Sequence, residues 1–436
     1  MNNKIELKEA ISIGIGGMVG GGIFAVLGLA VSFSKGGTPV SFLFAGIIAL
    51  ITSNSYVKLS KTYPDRGGTV KFINQGFSKT VFSGGVCNLL WISYIIMLSL
   101  YASAFGSYAP NLLPLSSKAN DFHIYASAII ILATLINYYS IKFVGEIESY
   151  AVVIKLVILI AFVIIGIYGI SGNPNLSQLS ISNWETPISL LTGGMVIFVA
   201  YEGFELIANA VPDLVSPEKN VPRAFYYSVI FVMLLYVVIA GVTVGSLPFN
   251  EIAKAQDYVL AEAAKPMLGS TGFTIITIAA LLSTFSAINA SLYGGSRVSY
   301  EIAEDDELPH QLTFLLWNHP VGLLITAVAT LILTNVLKLE SISTAGSVGF
   351  LMIFAVVNLA GYKLRSSIGG KGIIALTGSL LCTIALITLI VEQYTSNKAG
   401  VITALSIIII CFLLEWIYKK TDTLNQIKPT TNGEHS

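Results

Sequence analysis

Gly16-Gly17-Met18-Val19-Gly20-Gly21-Gly22-Ile23-Phe24 lies in the middle of the first apolar segment, Ile11 to Val31. Five of these nine residues are glycine, and each weakens a helix by about 0.5 to 1 kcal/mol relative to alanine. In a hydrocarbon layer, every backbone N–H or C=O freed by a break costs several kcal/mol unless a cavity, water or ligand satisfies it. A break here therefore predicts a binding site. The half-helix starting near Gly20 aims N–H groups and the positive end of its dipole at an anion. The half ending between Gly16 and Val19 offers carbonyls to a cation. A zwitterion matches that pair of ends.

The surrounding chain has the composition of a lipid-embedded protein: 54% of its 436 residues are hydrophobic and 11% charged. Runs of about 20 apolar residues give twelve spans: 9–32, 39–60, 81–108, 122–140, 146–170, 187–211, 224–246, 270–296, 319–337, 343–363, 372–392 and 399–418. Roughly seventeen Lys and Arg residues fall on the side of the N-terminus, against Lys35, Lys118, Lys254, Lys265, Lys338 and Lys398 on the other. With an even number of spans, both termini are expected in the cytoplasm of a multi-pass cell-membrane protein.

Cys87, Cys382 and Cys411 fall inside spans, without metal-ligand spacing, and read as small apolar residues. The first span lacks a small-residue cleavage site and is expected to stay as structure. The polar tail from Lys419 to Ser436 reads as disordered. No cofactor, metal or nucleic-acid partner is expected, and the oligomeric state stays open.

The loop from Lys58 to Lys79, with Tyr63-Pro64-Asp65-Arg66-Gly67-Gly68, reads as a solvated hinge in preference to a substrate contact. In span 3, Asn88, Trp91, Ser93 and Tyr94 either bond a neighbouring helix or line a pocket. Lys155 is the one basic residue left in the membrane. At 1.5 Å per residue from Tyr150 its amine lies about 8 Å deep, shallow enough to snorkel. The other reading is a lysine facing the bundle, out of water, that gains and loses a proton during a cycle.

Span 6 supplies a partner for the first break. Phe198-Val199-Ala200-Tyr201-Glu202-Gly203-Phe204-Glu205 puts a glycine and two carboxylates into an apolar helix, where a charge at the centre costs about 2.5 to 3.5 kcal/mol even on lenient scales. Breaks in spans 1 and 6, five spans apart, form the pattern of an inverted repeat with a site at its interface. Beyond it, Ser216-Pro217-Glu218-Lys219-Asn220-Val221-Pro222-Arg223-Ala224 reads as a short corner with Pro222 near a helix start. The connection from Leu247 to Leu268 reads as amphipathic helix, either a lid or a packed surface loop. In span 8, Ser283, Thr284, Ser286 and Asn289 either meet an ion or a lysine or bond their own helix. The acidic group Glu301, Glu304, Asp305, Asp306 and Glu307 reads as a solvated loop.

At these residues the chain resembles the amino acid-polyamine-organocation superfamily of transporters. The markers are the glycine run, Tyr63-Pro64 with Gly67-Gly68, Ala200 to Glu205, Ser216 to Ala224, and Arg297-Val298 followed by Ala303, Asp305, Leu308 and Pro309. The resemblance implies an all-α membrane protein with a leucine-transporter-like five-plus-five inverted repeat: residues 1–170, then 187–365, then two additional helices over 372–418 and the 419–436 tail. It implies a substrate carboxylate on the amides near Gly20, Gly21 and Gly22, and an ammonium near the carbonyls of Met18, Val199 and Ala200. Lys155 matches the span-5 lysine that takes the place of a sodium ion in proton-coupled members; its amine is expected to reach Gly16 and the hydroxyls of Ser283 or Ser286.

Three residues depart from the family pattern. Val199 replaces a common aromatic, so an outer gate would rest on Phe198 or Tyr201. Pro212 stands where many members have an acid. Glu202 replaces an apolar residue beside the substrate side chain, where it would either pair with a cationic amino acid or titrate.

The leading expectation is a secondary transporter for an amino acid, coupled to protons through Lys155; sodium-coupled or exchange-type transport of amino acids or polyamines is the alternative. A membrane-embedded enzyme is remoter, because His123, His310, His319 and His435 read as loop or tail residues without a catalytic partner. An ion channel would need a continuous polar stripe, and the spans carry none.

Overall fold

The computed structural model describes residues 4–139, 141–171, 174–304, 315–316 and 319–427. Helices dominate, as they must where long apolar runs leave the backbone no partner but itself. In chain order they are α1 Leu7–Met18, α2 Gly22–Ser34, α3 Thr38–Thr62, α4 Thr69–Phe77, α5 Val81–Tyr108, α6 Lys118–Tyr139, α7 Ile141–Ile170, α8 Pro187–Val196 and α9 Leu206–Ala210. There follow α10 Pro217–Ser246, α11 Phe249–Lys254, α12 Val259–Glu304, α13 Val321–Val336, α14 Leu339–Lys363, α15 Arg365–Ile368, α16 Ile373–Ser396 and α17 Lys398–Ile427. Leu315–Leu316 pairs antiparallel with His319–Pro320.

Among the described residues, nine helices are long and apolar enough to cross a membrane, and eleven spans result when each of two bent pairs counts as one. The apolar α13, at the place of the expected ninth span, is shorter, with 16 residues. Helices α5 and α14 are buried nearly all round, whereas α6, α7, α16 and α17 are buried on one side only. Their other sides expose rows of large apolar side chains. On α7, Val153, Val157, Ile164 and Ile167 are 54 to 63% exposed, while Val152, Lys155, Leu159, Phe162 and Gly166 form a buried stripe at helical spacing. An apolar girdle of this extent belongs in a bilayer.

Several connections differ from the sequence expectation. The 58–79 loop contains α4, whose Val70, Phe72 and Ile73 are buried against the bundle, so it is packed structure and not a solvated hinge. Its Arg66 pairs with Asp213, and Lys61 with Glu218. The α10 helix starts at Pro217, five residues before Pro222, which sits inside it. The connection after α10 is helical as expected, and its Ile252, Ala255, Leu260 and Ala263 are all buried. It continues into α12 through Gly269, whose φ of +62° puts a kink where the eighth span was expected to begin; only glycine takes that conformation without strain. The last helix runs on to Ile427, past the expected end of the twelfth span. Asp305, Asp306, Glu307, Leu308, Pro309, His310, Lys428 and the rest of the tail including His435 lie outside the described residues.

Candidate functional site

Both glycine-marked helices are interrupted. Between Leu7–Met18 and Gly22–Ser34 the axis bends by 46°, and between Pro187–Val196 and Phe198–Asp213 by 53°. In the second, four residues of tight 3-10 turn, Phe198–Tyr201, lead into Gly203 at φ +110° before α9 resumes.

The first break leaves buried amides without partners. The N–H of Val19 closes α1 on the Ile15 carbonyl at 2.7 Å, and the next ladder bond is Ala25 to Gly21 at 3.0 Å. Between them, among the described residues, the N–H groups of Gly20, Gly21, Gly22, Ile23 and Phe24 donate to nothing in the protein. A helix start always has orphan donors; here all five residues are buried. They form an anion-accepting end, extended to Ile23 and Phe24 beyond the three glycines expected from sequence.

Small residues let the breaks meet. A Cβ on Gly22 would stand 2.9 Å from the Cα of Ala200, one on Gly21 2.5 Å from the Tyr101 ring, and one on Gly20 3.0 Å from Ala287. The carbonyls of Met18 and Ala200, on different broken helices, share one hydroxyl: Tyr236 of α10 donates to Met18 at 2.7 Å and to Ala200 at 3.4 Å. Ser343 and Ser347 of α14 donate to the Val196 carbonyl at 2.7 and 2.9 Å, and Ser347 accepts the Val199 N–H at 3.1 Å. The sequence reading missed Tyr236, Ser343 and Ser347, since nothing separates them from other hydroxyls in apolar helices.

Lys155 does not snorkel. It is fully buried on the inward stripe of α7, and its Nζ donates to the Gly16 carbonyl at 3.1 Å, one turn before the break. Ser283 donates to the carbonyls of Val19 and Gly20 at 3.1 and 2.7 Å, joining α12 to the same break. Ser286 is buried but makes no described bond to it. Thr284 and Asn289 bond their own helix, at Ala280 and Phe285, and the Asn289 Oδ1 also accepts from Asn137 of α6 at 3.0 Å.

The remaining candidates pack around the second break. Phe198 is buried edge-on against Phe354, and Tyr201 against Tyr236, its hydroxyl on the Phe42 carbonyl at 2.8 Å. Ser93 faces Gly349 of α14, and its hydroxyl has no partner among the described residues. Glu202 is buried close to Glu205. Glu205 accepts the Gly203 N–H at 2.7 Å and the Tyr94 hydroxyl at 3.1 Å, so the second carboxylate holds the break from within.

Other groups lie elsewhere. His123, expected in a loop, stands in α6 on Asn335 at 2.8 Å. A membrane-side groove of about 290 Å³ between α5, α13 and α17, lined by Asn88, Trp91 and apolar residues, includes nothing from either break.

The sequence matches the amino acid permease family over residues 5–419. It is 33% identical over 426 residues to an uncharacterised protein of Methanocaldococcus jannaschii, covering 96% of each chain. It is 31% identical over 425 residues to the inner membrane transport protein YbaT of Escherichia coli, covering 97% of this chain and 98% of that one. With the branched-chain amino acid permease BcaP of Bacillus subtilis it shares 22% identity over 391 residues, 84% of this chain and 81% of the other. A match of that length, on a many-span chain broken at its two glycine-marked helices, makes this protein a member of the amino acid permease family.

Proposed function

We propose that this permease is a secondary transporter that moves an amino acid across the cell membrane together with a proton carried by Lys155. The observation that carries this reading is the Lys155 amine on the Gly16 carbonyl, beside buried amides with no partner among the described residues. In this reading the substrate carboxylate lies on the Gly20 to Phe24 N–H groups, and its ammonium on the Met18, Val199 and Ala200 carbonyls. Phe198, Tyr201, Glu202 and Ser93 border the substrate, with Ser283 and Ser286 beside the lysine.

The coupling follows from charge. Gly16 lies near the C-terminal, negative end of the α1 dipole, so a protonated lysine holds α1 in place, and a neutral amine holds it less well. Loss of the proton therefore frees α1 to move off its neighbours. Alternating access then proceeds by displacement of the broken helices within a five-plus-five inverted repeat of twelve spans, with both termini cytoplasmic.

Purified protein in liposomes tests this. A thermal-shift screen over the twenty protein amino acids selects the substrate, because a ligand stabilises the state it binds. Uptake of that amino acid is expected to rise with an acidic outside and to be unchanged when sodium is replaced by another cation. Strict sodium dependence would overturn the proton assignment; transport only against internal amino acid would indicate an exchanger.

A further inference from the structure

One end of the bundle carries a basic rim around an aromatic floor. There the chain turns from α4 into α5, with the end of α14 and the last turns of α17 beside it. The Lys419 amine of α17 donates to the Lys79 carbonyl in that turn at 2.8 Å, and the Lys363 amine of α14 stands 4.1 Å over the Phe77 ring. Three rings from α4, α5 and α17 run in file beneath, Phe77 to Phe82 at 5.0 Å and Phe82 to Phe412 at 6.1 Å. Phe82 and Trp416 stay exposed, the latter under the Lys420 amine at 5.1 Å. Leu413 and Leu414, exposed on the same helix, continue this surface into the apolar girdle.

Charge at this rim is one-sided. No Asp or Glu occurs between Asp65 and Asp121, between Glu340 and Glu392, or between Glu392 and Glu415. The segments that meet here therefore bring the exposed Lys79, Lys363 and Lys420, and Arg365 and Lys371 just after α14. Against them, among the described residues of these segments, stands one acid, Glu415, buried and engaged with Lys419. We propose that this rim binds an anionic phospholipid, its phosphate held by the exposed amines and an acyl chain laid along Phe82, Phe412 and Trp416. The charge and the rings together name the occupant. A free phosphate uses the amines but leaves the rings bare. A zwitterionic lipid covers the rings but brings its own cation to a place already in surplus. An anionic phospholipid meets both, and each lysine near a membrane surface favours it roughly fivefold, while aromatic rings sit well at headgroup level. The rim includes no residue of either break, so this site stands apart from the transport reading.

Native mass spectrometry of the purified full-length protein reads the preference directly, with equal amounts of phosphatidylglycerol and phosphatidylcholine of the same acyl chains added. The wild type is expected to retain phosphatidylglycerol. Lys363→Gln lowers that preference about fivefold, and Lys79→Gln, Lys363→Gln and Lys420→Gln combined lower it about a hundredfold. All three side chains are exposed, so these variants fold as the wild type does. Lys254→Gln, Lys265→Gln and Lys398→Gln combined remove the same charge from exposed positions outside the rim and leave the preference unchanged. Equal retention of the two lipids by the wild type, or an equal loss in both triple variants, would overturn the site. Displacement of the bound lipid by excess inorganic phosphate would give the rim to a free anion and overturn the lipid as its occupant.

Discussion

Gly17 and Gly203 meet backbone to backbone: a Cβ on Gly203 would stand 2.5 Å from the carbonyl carbon of Gly17, and one on Gly17 2.8 Å from the carbonyl oxygen of Gly203. The two broken helices therefore touch beside their interruptions, Gly17 in the last turn of α1 and Gly203 just after the 3-10 turn, at positions where only hydrogen fits. Gly203 also needs its φ of +110°. Gly203→Ala is expected to cost roughly 1 to 3 kcal/mol in backbone strain alone. It should lower the thermal midpoint and cut uptake sharply. Wild-type uptake from the alanine variant would show that the contact is not needed.

Lys155→Ala removes the donor from a buried carbonyl at a helix end, which costs about 1 to 3 kcal/mol. Accumulation driven by a pH gradient is expected to disappear, while exchange of labelled for unlabelled amino acid at equal pH persists. Both are measured on the same proteoliposomes. Full gradient-driven accumulation in the variant would return Lys155 to a structural role.

Glu415 of α17 is completely buried, with Asn88 donating to it at 3.2 Å, Lys419 3.4 Å away and Gly84 of α5 directly beneath its carboxyl. A methyl group at Gly84 has no room. Gly84→Ala is expected to cost about 1 to 3 kcal/mol through overpacking, read as earlier thermal unfolding. Substrate affinity should not change, since neither break is touched.

The Arg66–Asp213 pair, at 3.1 Å, joins the α4 connection to the end of the second broken helix. Its side chains are 57% and 41% exposed, so solvent and salt screen it. Arg66→Ala is expected to change stability by less than about 1 kcal/mol, a difference that should vanish in high salt. A larger, salt-resistant loss would mean that the pair is more than a surface contact.

The breaks were legible because glycine marks the two helices: the run from Gly16 to Gly22 falls where the first axis bends, and Gly203 lies within the second broken helix, past its bend at Ile197. The rotation of a helix about its axis was not legible. Lys155 stands among valines, leucines and isoleucines on every side, so no alternation of polar and apolar residues told its inward stripe from the lipid-facing one. The two sides of α7 become distinct only in burial. Similar ambiguity left open which of Ser283, Thr284, Ser286 and Asn289 turns toward the break. The hydroxyl of Ser283 crosses to another helix while that of Thr284 bonds its own, one residue apart. Tyr236 and the α14 serines act on backbone atoms of distant segments, and a backbone carbonyl leaves no trace in the sequence. The kink at Gly269 was missed because a glycine with open space around it imposes no packing signature.

Gly28 of α2 lies directly under the carbonyl of Gln256, in the short turn between α11 and α12. The close seat leaves no room for a side chain on Gly28, so that turn packs directly on the second half of the first broken helix. The turn after α11 thus bears on the same helix whose first turn presents the bare amides, about ten Å away at 1.5 Å per residue.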